Sequence, residues 1–128
     1  MKILVLDTYP VRPWRISKDT SGGYGTANRF GDGFVAGMLT RMMAKEVDWP
    51  PLYCVYLLGV LREKGHDVQY SRDWRDAKGQ DLCFVTSSIV AHETEVDAVQ
   101  KVAELGVPVG AIGPFATSVP KPYLDAGG

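Results

Sequence analysis

The chain has 128 residues, enough for one domain with a single core and too few for two. Fourteen basic against fifteen acidic side chains leave a net charge of -1, which excludes a general field for collecting nucleic acid or an anionic membrane. A composition 45% hydrophobic and 23% charged is that of a folded globular protein. The first element, "KILVLD", is a continuous apolar run closing on Asp7, Thr8 and Pro10, as expected of a parallel strand buried on both faces. It is too short for a signal-peptide core or a membrane span, so the cytoplasm is the expected location.

From Thr8 to Pro50 the chain is rich in Gly, Pro, Arg and Asp and reads as a long insertion, about residues 8–50, in a single domain covering 1–128. Arg12, Arg15 and Lys18 read there as a solvated basic cluster. "SGGYGTANRFGDG" has glycine turns able to cradle an anion, but it lacks the GxxxxGK[ST] pattern. A loop that covers a ligand or meets a following domain is the preferred reading, with Tyr9, Pro10 and Tyr24 as apolar contacts. Within Phe34 to Val47, Val35, Met38, Leu39 and Met42 recur at helical spacing, and this methionine-bearing face is expected to pack.

"WPPLYCVYLLGVLREKGHDVQY" is the clearest signal. Pro51 suits a first helical turn, Leu52, Val55, Tyr56, Gly59 and Val60 share one face, Arg62 and Lys64 suit the helix end, and Gly65 suits a left-handed cap. A second strand follows at Asp67 to Tyr70, one helical turn near Asp73 to Ala77, and a third strand at Leu82 to Thr86. Glu93 and Glu95 open the next helix and Gly106 stops it. The fourth strand, Pro108 to Ile112, runs into Gly113, and a last helix starts near Lys121 to Leu124.

These elements predict an α/β fold: a flavodoxin-like (Rossmann-like) three-layer arrangement with a mostly parallel sheet in the order 2-1-3-4. The chain stops where a fifth strand is expected, which reads as a trimmed domain. Ligands of such sheets bind beyond the carboxyl ends of the strands, where the loops from Thr8, from Thr86 to His92 and from Gly113 to Thr117 converge. At "GAIGPFAT" two readings stay open: a tight strand-to-helix turn capped by serines, or a glycine surface against which a large ligand presses. His66 reads as a surface or capping residue, and neither it nor His92 is read as a metal ligand. Cys54 and Cys83 lack CxxC or histidine partners and read as buried thiols in a reducing compartment.

Taken together, "WPPLYCVYLLGVLREKGHDVQY", "VTSSIVAHETEV" and "VPVGAIGPFATSVP" resemble the N-terminal cobalamin-binding domain of cobalamin-dependent radical S-adenosylmethionine enzymes. The likeness runs in order from Met1 to about Asp125, with the insertion as its main departure. Ile112 stands where the family has glycine and Phe115 where it often has histidine. The Asp-x-His-x-x-Gly signature of methionine-synthase-like domains is absent. The resemblance implies vitamin B12 bound base-off, without a histidine on cobalt, its tail passing between the sheet and the loops of Thr86 to Ser88 and Gly113 to Thr117. It implies cofactor contacts from Thr8, Tyr9, Pro10, Thr86, Ser87, Ser88, Val90, Gly113, Pro114, Phe115 and Thr117, and no catalytic residue in this chain. S-adenosylmethionine and a 4Fe-4S iron-sulfur cluster are expected only in an adjoining domain, commonly a methyltransferase. The competing reading is a free-standing flavodoxin-like protein binding a nucleotide or flavin through Asp7 and the glycine loop. A phosphoacceptor signalling domain is disfavoured, because the third strand ends in Thr86 and Ser87 rather than in aspartate.

Overall fold

In a computed structural model, residues 1–9, 15–18, 26–28, 31–43 and 50–128 are described; for 15–17, 26–28 and 43 this means backbone alone. The leading apolar run forms β1 (Lys2–Leu6), with Ile3, Leu4, Val5 and Leu6 all buried. It is one of the two interior strands: Ile3 pairs in parallel with Val68 of β4 (Asp67–Ser71) and with Leu82 of β5 (Leu82–Thr86). On the far side of β5, Cys83 pairs with Val109 of β6 (Val109–Ile112). The resulting all-parallel sheet has the order β4-β1-β5-β6. Counted over the strands of this sheet, that is the expected flavodoxin-like 2-1-3-4.

The side-chain alternation of a strand divides β1 between two cores. Ile3 and Val5 join Cys54, Leu58 and Val68 beneath α2 (Leu52–Glu63). Leu4 and Leu6 join Cys83, Val85, Ala98, Val99 and Val102 beneath α3 (His92–Glu104), along with Ala77 from the short 3-10 turn at Trp74–Ala77. Each Val, Leu or Ile side chain among them contributes about 1.5–3 kcal/mol by leaving water. Two short helices complete the second layer: α4 (Pro114–Ser118), where the sequence reading has only a turn, and α5 (Lys121–Asp125), close to the expected start.

The expectation that the methionine face packs needs correction, and on α2 the side that meets the sheet is not the apolar stripe that the spacing marks. On α2 the stripe of Leu52, Val55 and Tyr56 points outward, and Cys54 and Leu58 meet the sheet, with Leu57 and Leu61 beside them. This helix is apolar nearly all round, so spacing alone could not select its buried side. On α1 (Phe34–Met43) the methionine face does not pack: Phe34, Val35, Met38, Leu39 and Met42 are exposed, while Thr40 is buried and its hydroxyl donates to the Ala36 carbonyl at 2.8 Å. The insertion also holds two strands that the sequence reading lacks, β2 (Arg15–Ser17) and β3 (Thr26–Asn28), paired antiparallel. Among the described residues, no helix is long and apolar enough to cross a membrane.

Both cysteines are buried and neither is in a disulfide, and burial pushes the Cys83 thiol up to about 12. The thiolate, not the thiol, is the nucleophile that attacks a disulfide reagent. Ellman's reagent at pH 8 should therefore modify neither thiol in the folded chain and both in urea; rapid labelling of Cys83 without denaturant would contradict the placement of β5.

Candidate functional site

The order β4-β1-β5-β6 places the switch point between β1 and β5, and the chain leaves the carboxyl ends of both strands through polar residues. Asp7 follows β1, Thr86 ends β5, and Glu95 sits in the first turn of α3. All three are fully buried. Uncompensated, buried carboxylates are costly. The compensation comes from the insertion: Lys18, 1% exposed, places its Nζ 3.0 Å from Asp7 Oδ1 and 2.9 Å from Glu95 Oε1. The expectation of a solvated basic cluster therefore fails at Lys18. Arg12 lies outside the described residues, and of Arg15 only the backbone is described.

A second set of donors orients the carboxylates. Thr86 Oγ1 donates to Asp7 Oδ1 at 2.9 Å and Tyr70 donates to Asp7 Oδ2 at 2.9 Å. Glu95 Oε2 accepts from the Ser88 amide at 2.8 Å and from the Tyr123 hydroxyl at 2.9 Å, while Ser88 Oγ donates to Oε1 at 2.9 Å. Burial, and after it the facing carboxylate, raises the pKa of Tyr70 beside Asp7 and of Tyr123 beside Glu95, keeping both phenols protonated as donors. Burial foremost raises Tyr9 and Tyr53 as well. The Tyr9 ring lies 5.0 Å from the Lys18 ammonium and 4.6 Å from the Arg72 guanidinium.

The neighbouring loops are stitched together by backbone. The Ser87 amide donates to the Ile112 carbonyl at 2.7 Å, and the Ala116 amide donates to Ser87 Oγ at 2.7 Å. Gly113 between them has φ +136°, and a Cβ there would stand 2.4 Å from the Ser87 carbonyl oxygen. The glycine of "GAIGPFAT" is required by the protein's own backbone, as the reading of a tight strand-to-helix turn expects.

The candidate residues thus divide by depth. Thr86, Ser87 and Ser88 are buried with their hydroxyls engaged inside the chain. Thr8 is buried too, and its hydroxyl, like that of Tyr53, has no hydrogen-bond partner among the described residues. Tyr9, Val90, Gly113, Pro114 and Phe115 are half-buried, and Thr117 is exposed, its hydroxyl donating to the Gly113 carbonyl at 2.9 Å. Phe115 packs against His92, centroids 4.8 Å apart, and His92 Nδ1 is 2.8 Å from the Ile89 carbonyl oxygen. Pro10 and Tyr24 lie outside the described residues, as does most of "SGGYGTANRFGDG".

Sequence reasoning missed Lys18, Glu95, Tyr70 and Tyr123 as members of this site. One available signal was Glu95, the fourth residue of α3, still within the first turn, from which its carboxylate reaches back to the Ser88 amide preceding the helix. No protein-family model, curated protein or solved structure matches the chain.

Proposed function

We propose that this chain is a cobalamin-binding module that positions the corrinoid for an adjoining radical S-adenosylmethionine domain, in an enzyme whose chemistry is commonly methyl transfer. The observation that carries the reading is the surface beyond β5 and β6. Ile89, Val90, Pro114 and Phe115 form a partly exposed, mainly apolar rim at the carboxyl edge, where a parallel sheet of this order receives its ligands. Such a rim suits a broad, mainly apolar macrocycle edged by amides. The bound corrinoid supplies the organometallic chemistry, and the residues of this chain supply orientation and exclusion of water. Because Ser87 and Gly113 touch through their backbones, Tyr9, Val90, Phe115 and Thr117, which are half-buried or exposed, are the residues that would hold the cofactor's tail.

Asp7 weighs against the flavodoxin-like alternative. That reading needs Asp7 for the ligand, and Asp7 is committed to Lys18, Tyr70 and Thr86.

Titrating the purified chain with hydroxocobalamin and following the visible spectrum tests the proposal. A base-off shift is expected, with affinity reduced at least tenfold in Val90→Glu, which adds charge to the rim. Absence of any spectral change, with tight flavin binding by calorimetry, would overturn it in favour of the alternative.

A further inference from the structure

We infer that Asp7, Thr86 and Glu95 form a binding site for a primary alkylammonium group, filled in this chain by its own Lys18. An ammonium carries three N–H donors that radiate from one nitrogen. Around Lys18 Nζ stand three oxygen acceptors on three different elements: Glu95 Oε1 at 2.9 Å, Asp7 Oδ1 at 3.0 Å and Thr86 Oγ1 at 3.3 Å. Thr86 gives its own proton to Asp7, which leaves its oxygen lone pairs facing the ammonium. The face of Tyr9 adds the attraction of an aromatic ring for a cation.

Groups other than Lys18 also hold the acceptors. Tyr70 holds Asp7, Tyr123 and both Ser88 groups hold Glu95, and every one of these residues belongs to the sheet, to α3 or α5, or to the loops joining them. Among the described residues, Lys18 alone of the hydrogen-bonding partners comes from the insertion, immediately after β2. A receptor in the body of the domain and an ammonium on an inserted hairpin are separable parts, so a free alkylammonium of the right length fits the receptor once the lysine is removed. The inference does not depend on the cobalamin reading, since each contact is within the chain.

The test uses Lys18→Ala, which removes the atoms that n-propylammonium restores. The variant's melting temperature should rise saturably with n-propylammonium chloride and stay nearly flat with tetramethylammonium chloride at equal ionic strength, because the latter has no N–H donor. Lys18→Arg should not replace lysine, since a planar guanidinium directs its donors in a fork rather than toward three converging oxygens. Equal responses to the two salts would overturn the assignment. Should Lys18→Ala fail to fold, refolding yield in the same two salts reads the same property: a higher yield in n-propylammonium supports the site, and equal yields overturn it.

Discussion

Glu95→Ala should lower the unfolding free energy by about 3–5 kcal/mol, the usual cost of removing one partner from a buried ion pair. The expectation rests on what the side chain leaves behind. Its carboxylate accepts from Lys18, from the Ser88 amide and hydroxyl and from Tyr123, all in a fully buried position. Alanine leaves the ammonium to Asp7 and Thr86 alone and strands three neutral donors together. A domain of this size holds about 5–15 kcal/mol in total, so the loss takes a large share of it. Glu95→Gln should also destabilise, because its amide nitrogen must face donors on one side or the other. Replacing both partners, Lys18→Met with Glu95→Gln, should cost less than the sum of the single changes. Urea unfolding at unchanged slope provides the measurement. A loss below about 1 kcal/mol for Glu95→Ala, the range of an exposed pair, would mean that the ammonium is solvated after all.

This cluster also marks where the sequence stopped being legible. β1 and β5 announce themselves because strands covered on both faces must be apolar throughout, and β4 follows from Gly65 ending α2. Their parallel order follows from the helices between them and the handedness of the crossovers. Lys18 carries no such signal: a lysine among arginines and glycines has the local signature of a solvated loop, and its acceptors lie in β1's exit and in α3. Glu95 equally well suited the helix dipole, so nothing local distinguished a dipole partner from a buried acceptor. The outward face of α2 was unreadable for a different reason, since Leu52, Val55 and Tyr56 are as apolar as the residues that meet the sheet. Hydrophobic spacing reports a helix, and only contact with a second layer decides which side is covered.

Gly113→Ala should cost at least about 3 kcal/mol, combining a backbone region closed to side chains, worth about 1–3 kcal/mol, with a clash that cannot relax cheaply. Gly113 has φ +136° and ψ 176°, and the added methyl would meet the Ser87 carbonyl oxygen at 2.4 Å and the Ser87 amide nitrogen at 3.2 Å. Both atoms belong to backbone held in place by the Ser87 to Ile112 and Ala116 to Ser87 hydrogen bonds, so relief must open the joint between β5, β6 and α4. Faster hydrogen exchange at the Ser87 and Ala116 amides should accompany the loss of stability. Gly110→Ala provides the contrast three residues earlier: its methyl would meet only the Phe84 ring, at 3.7 Å, an ordinary contact. That change should be neutral or stabilising by up to about 1 kcal/mol, since glycine inside a strand carries an entropic cost. If both variants behaved alike, the backbone approach at Ser87 would not exist, and the loops that support the rim of Val90 and Phe115 would be free to part around a ligand tail. If they differ as expected, that rim is a rigid floor, and any corrinoid bound there must lie on it rather than pass through it.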